Sequence, residues 1–140
     1  METKKTAGAI VAAFILRAGV LYVIYSMLLR SEYVATSALW RTQEAITHRM
    51  WIMLLAQFIF TVGAVLIYQR GIERKSWIGQ GFRFGILLSL VSCIPGTMSQ
   101  YVAVPMPHRI ALHDIIVETG LAIVMGLLIA AICQPKTSAA

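Results

Sequence analysis

The chain has 140 residues, of which 59% are hydrophobic and only 13% charged, against about 25% charged in an average soluble domain. A mean hydropathy of +0.77 is more than a soluble core of this length can hide, which excludes a water-soluble enzyme or binding module. The net charge of +6 would suit nucleic acid, but the basic residues sit in short connections between apolar stretches. There they set membrane orientation and meet anionic lipid headgroups, so no nucleic-acid partner is expected.

Residues 7–29 form the first apolar stretch. At 1.5 Å per residue it reaches about 35 Å, enough for a ~30 Å hydrocarbon core. Its basic start resembles a signal peptide. The run is too long for one, contains Arg17 and ends in Leu28-Leu29-Arg30 without a small-residue cleavage site, so it is expected to stay as an anchor. Arg17 falls near the middle, where snorkelling reaches poorly and a partner is needed. Gly8, Ala12, Ala13, Ala18 and Gly19 offer small surfaces for close helix approach.

The connection 30–49 has no Pro or Gly, and Tyr33, Ala38, Leu39, Trp40 and Ile46 make a rough apolar stripe. This predicts a helical extension or an interfacial helix in the first outer loop, with Tyr33 and Trp40 at headgroup level. Glu44 stands one position too early to complete a capping box from Thr42, so no cap is predicted there. Residues 50–68 form the second span, with Trp51 and Tyr68 at its ends and Gln57 as its strongly polar interior side chain, expected to bond across helices. The loop 69–80 is basic, through Arg70, Arg74 and Lys75.

The third span covers 82–104 and opens on Gly81 and Gly85, the spacing that lets two helix backbones approach. Gly79-Gln80-Gly81 resembles a phosphate loop only superficially, since no strand precedes it and the lysine is missing. Pro95-Gly96 predicts one kinked span, because a helix ending at Ile94 would be too short to cross. Ser92, Thr97 or Ser99 can satisfy the backbone groups that proline frees. Val104-Pro105-Met106-Pro107-His108 is a tight turn that makes the third and fourth spans antiparallel neighbours. The fourth span, 110–133, carries Asp114 and Glu118 four apart and hence on one face, with Ala122 and Gly126 as a small-residue packing surface below them.

With the N-terminus inside, Lys4, Lys5, Arg70, Arg74, Lys75, Arg83 and Lys136 lie inside and Arg30, Arg41, Arg49 and Arg109 outside. Seven against four places both termini in the cytoplasm. Cys93 and Cys133 form no CxxC and read as small buried hydrophobes.

Two constellations carry chemistry. Arg17, Asp114 and Glu118 lie at compatible depths, either as an ion pair that fixes helix register or as a proton, cation or polar-ligand site. His108 and His113 beside Asp114, with Met98 and Met106 nearby, are weak metal candidates whose spacing matches no metal motif. No enzyme signature and no cofactor pattern is present, so no enzyme activity and no cofactor are expected.

The runs Ala38-Leu39-Trp40-Arg41, Tyr68-Gln69-Arg70-Gly71-Ile72-Glu73, Gly79 to Gly85, Ile94-Pro95-Gly96 and Tyr101-Val102-Ala103-Val104-Pro105 resemble uncharacterised bacterial four-helix membrane proteins. The resemblance implies the architecture and a bacterial inner membrane, and no reaction. It also implies an acidic residue and a histidine near the outer end of the first span, where this chain has Tyr25 and Ser26.

The sequence thus predicts an all-α membrane protein, a four-transmembrane-helix bundle in one membrane domain, 1–140. The leading expectation is a structural or accessory subunit packed against other membrane helices or against itself. A small proton-coupled transporter or channel using Glu118 comes second, and a lipid- or quinone-binding membrane enzyme third.

Overall fold

In a computed structural model, residues 3–73 and 76–134 are described, with Leu28 in backbone only. Arg74, Lys75 and Lys136, which enter the charge count, and the rest of the polar tail lie outside the described residues. Every element among those residues is helical. Four helices are long and apolar enough to cross a membrane, Thr3–Met27, Met50–Arg70, Trp77–Ala103 and His108–Cys133. Their side chains are apolar nearly all round, as lipid-facing helices are. In hydrocarbon the backbone must satisfy its own hydrogen bonds, which a helix does.

Helix α1 is Thr3–Val23 and continues into one wide π turn, Ile24–Leu28. Two short helices, α2 (Arg30–Ala35) and α3 (Gln43–His48), with a 3-10 turn at Ser37–Leu39 between them, make the first connection. Helix α4 is Met50–Arg70. The third span is α5 (Trp77–Leu88), a second π turn at Ser89–Cys93, and α6 (Ile94–Ala103). Helix α7 is His108–Cys133.

The helices begin earlier than composition suggests. Helix α1 starts at Thr3 rather than 7, and α5 at Trp77 rather than 82. In α5 the first turn, Trp77 to Gln80, which reads as loop, leads straight into Gly81, which is buried against α7, whereas a Cβ added at Gly79 would meet nothing. Thr42 does cap α3: its hydroxyl accepts from the Ala45 amide at 3.3 Å, without the glutamate half of the box. Around Pro95 the span stays continuous, the wide turn at Ser89–Cys93 taking up the interrupted ladder. Ser92 donates to the Leu88 carbonyl at 2.8 Å.

Helix α7 is the centre of the packing. Helices α5, α6 and α1 lie against it, and α4 lies mainly against α1. The end where α1 starts and α7 finishes is called proximal, and the end holding α2 and α3 distal. The proximal half is a dry core of Ala9, Ala13, Ala64, Val65, Tyr68, Met125, Ile129, Ala130 and Cys133. Its tightest seam joins α5 to α7. A Cβ added at Gly81 would stand 2.8 Å from the Gly126 carbonyl oxygen, and one at Gly85 would stand 2.7 Å from that of Ala122. On α1 the close approach uses Ala9 and Ala13, whereas a Cβ at Gly8 or Gly19 would meet nothing.

At the distal end, Tyr33 and Trp40 fold back onto Met106, Ile110 and Ala111. Their rings lie 5.1 Å apart, and the Trp40 indole donates to Thr36 Oγ1 at 3.0 Å. The two aromatics assigned to headgroup level therefore also have a partner within the protein.

Candidate functional site: a charged cavity between the spans

Four residues of α1 are buried at successive helical repeats, Ala9, Ala13, Arg17 and Leu21. Three are apolar, and two of them, Ala9 and Ala13, belong to the proximal core, while Leu21 lies one turn distal of Arg17. The fourth carries a guanidinium into the middle of the bundle, where it is only 5% exposed. Its Nη2 donates to Glu118 Oε2 on α7 at 2.6 Å, and its Nε donates to Gln57 Oε1 on α4 at 2.5 Å. The guanidinium carbon lies 4.4 Å from the centre of the Phe60 ring, a cation–π contact that offsets part of its desolvation. Nη1 is buried and has no hydrogen-bond acceptor among the described residues.

These residues border a cavity of about 290 Å³ lined by Arg17, Tyr25, Phe60, Cys93, Thr97, Asp114 and Glu118, with Ser92, Gly96 and Gln100 completing the wall. Both wide turns edge it. The first carries Tyr25, whose phenol donates to Asp114 Oδ1 at 3.2 Å. The second carries Cys93, whose thiol donates to Glu118 Oε2 at 3.9 Å. π turns of this kind recur where a helix must re-aim side chains at a site. Below the cavity, Ser89 and Thr119 share a 2.7 Å hydroxyl hydrogen bond, and the glycine seam follows.

Asp114 is buried, 8% exposed, and has no basic partner at ion-pair distance among the described residues. Above it, Tyr33 lies 5.7 Å from Tyr25, ring to ring. Outside the spans, burial first and the nearby Asp114 charge second raise the Tyr33 phenol above its ordinary range. His113 turns away to Glu32, Nδ1 to Oε2 at 3.1 Å.

The structure thus brings Arg17, Gln57, Asp114 and Glu118 to one place. Gly81, Gly85, Ala122 and Gly126 meet in one seam, and Gly96 stands in the cavity wall just after Pro95. His108 is exposed, and no metal-holding group of three or more His, Cys, Asp or Glu occurs among the described residues. Cys133 is buried, 1% exposed, but Cys93 lines the cavity and is more than a core filler. Sequence reasoning also missed Tyr25, Tyr33, Thr97 and Gln100 as site residues. Their depth opposite Asp114 and Glu118 was the available signal.

Chemically, Arg17 balances Glu118, which leaves Asp114 as a carboxylate facing only hydroxyl donors. Such a site can exchange protons or receive a group that donates hydrogen bonds. Comparison with family models, curated proteins and solved structures finds no match to this chain.

Proposed function

We propose that the protein is a small proton-coupled carrier in a bacterial inner membrane, with Glu118 and Asp114 as its working carboxylates and Arg17 as their fixed counter-charge. The observation that supports this most is the 290 Å³ cavity at mid-depth, bordered by two carboxylates and one cation. A structural ion pair alone needs no cavity and no second acid. A pore needs a continuous polar path, and the apolar proximal core argues for a carrier instead. The π turn between α5 and α6 borders the site without breaking the span, and irregular helix turns of this kind are frequent at functional sites. In this reading both termini face the cytoplasm, and α2 and α3 lie at the outer interface with Arg30, Arg41 and Arg49 near anionic headgroups.

Proteoliposomes with an internal pH dye test it. The wild type should give flux driven by a pH gradient, and Glu118→Gln should abolish it at equal insertion. A folded Glu118→Gln protein with undiminished flux would overturn the reading.

The packing subunit stays as a second reading, favoured by the distal half of α4. There Trp51, Ile52, Met53, Leu54, Leu55, Phe58 and Ile59 are all exposed, a surface suited to a helix of another subunit or of a second copy as much as to lipid. Gentle solubilisation and mass spectrometry should recover a stoichiometric companion if that reading holds.

A further inference from the structure

We propose that the cavity receives the hydroxyl-bearing head of a membrane-soluble amphiphile, which enters sideways between α4 and α6. This rests on the carrier reading and deepens it by naming the class of cargo.

The position of the opening comes first. Helix α4 packs mainly on α1, and α6 packs on α7 and the turn before it, while α4 and α6 do not pack along each other. Yet both border the cavity, through Phe60 on one side and Gly96, Thr97 and Gln100 on the other. Gly96 and Gln100 are exposed, one helical turn apart on the same face of α6. A Cβ added at Gly96 would meet nothing within 4 Å. On the distal side, by contrast, Tyr25, Tyr33 and Trp40 stack in series over Asp114, seated on Met106, Ile110 and Ala111. On the proximal side the Ser89–Thr119 hydrogen bond and the glycine seam close the floor. The unclosed side is therefore lateral, at a depth where two apolar spans flank it. What reaches the cavity from there is soluble in hydrocarbon.

Size and hydrogen bonding then narrow the class. At about 290 Å³ the cavity lies at the bottom of the range for sites that enclose a whole drug-sized ligand, roughly 300–1,000 Å³. It has room for a head, with the tail left in the gap between the helices. The two groups awaiting a partner are opposite in kind. Among the described residues, Arg17 Nη1 is a buried donor without an acceptor, and Asp114 is an acceptor met only by phenols, those of Tyr25 and Tyr33. A phosphate head would face two carboxylates, and an ammonium head would face Arg17. A carbonyl head would satisfy Arg17 and leave Asp114. A hydroxyl satisfies both, accepting from Nη1 and donating to Asp114.

The test uses the full chain in nanodiscs, titrated without oxygen and read by native mass spectrometry. The probes are decylubiquinol, decylubiquinone and monodecanoylglycerol. The first two share a tail and differ only in two hydroxyls against two carbonyls. The third offers the same hydroxyl chemistry from a glycerolipid, so whichever hydroxyl probe binds identifies the source. At least one hydroxyl probe should bind about tenfold more tightly than the quinone, as expected for a hydrogen bond to a charged acceptor. Asp114→Asn should remove that preference. Gly96→Leu, at a position with no neighbour to displace, should weaken all binding about tenfold or more and covers the case in which Asp114→Asn fails to fold. Binding of neither hydroxyl probe more tightly than the quinone, absence of binding by every probe, or full binding to Gly96→Leu would each overturn the inference. Proton flux with no probe bound would overturn it while leaving the carrier reading intact. Selective binding without flux would support it and sink the carrier reading.

Discussion

The proximal and distal halves are built from the same four spans and solve opposite problems. In the proximal half Gly81, Gly85 and Gly126 bring α5 and α7 backbone to backbone, and apolar side chains such as Val65, Tyr68, Met125 and Ile129 fill the remainder, with Trp77 and Phe84 packed against them. In the distal half a guanidinium, two carboxylates and two wide turns hold the same helices apart around a cavity. The boundary is sharp. On α7, Glu118 faces Arg17, its neighbour Thr119 already pairs with Ser89, and Ala122 begins the seam. Close approach excludes water and leaves nothing to titrate, whereas charge needs room and partners.

That contrast can be broken by single substitutions, and the largest effect is expected in the distal half. Arg17→Leu strands Glu118 and Gln57 and should cost about 3–5 kcal/mol, read as the thermal midpoint in mild detergent. The double change Arg17→Leu with Glu118→Leu should recover most of that loss without recovering flux. If the stability is not recovered, the ion pair itself holds its half together more strongly than apolar packing in its place. Next, Gly85→Ala forces a methyl against the Ala122 carbonyl and should cost about 1–3 kcal/mol. Gly96→Ala, facing open space, should be neutral or stabilising by up to about 1 kcal/mol. Equal effects at the two glycines would erase the distinction between seam and cavity. At the boundary, Ser89→Ala should cost only about 0.6 kcal/mol, a typical interhelical hydrogen bond in a membrane.

The smallest effect concerns pH. The Tyr33 phenol is raised in the folded protein by burial and by Asp114. Its contribution is therefore complete below the unfolded value of about 10 and is lost as pH rises above it. Tyr33→Phe should flatten the alkaline fall in stability and leave neutral pH almost untouched. An unchanged alkaline slope would mean that neither burial nor Asp114 raises the Tyr33 phenol on folding.

Much of this division was legible in residue type and depth. Four apolar runs announce four crossing helices, and Arg17 and Glu118 stand out because charge is rare at their depth. Gly81, Gly85, Ala122 and Gly126 carry their spacing openly. The rest depends on which way a side chain faces, and two wide turns reset that. Ser89–Cys93 and Ile24–Leu28 have no compositional mark, so Cys93 read as core and Tyr25 as a substitute for a missing site. Trp77 to Gln80 read as loop because Gly79 and Gly81 weaken a helix in isolation, and α7 supplies the packing at Gly81 that overrides it. Tyr33 and Trp40 look like interface anchors in any one-dimensional view, since their seat on Met106 and Ile110 lies far along the chain.

The turn at Ser89–Cys93 also has a meaning in chain length. A π turn accommodates one residue more than the helix around it would hold, and each residue of an α-helix turns the chain by about 100°. The third span can thus be described as a regular helix with a single inserted position. Removing one residue there would restore regularity and improve the local ladder. It would also swing Gly96, Thr97 and Gln100 by more than a quarter of a circle, and the wall of the cavity would become an outer face of the bundle. The polar site is, in this sense, one codon wide.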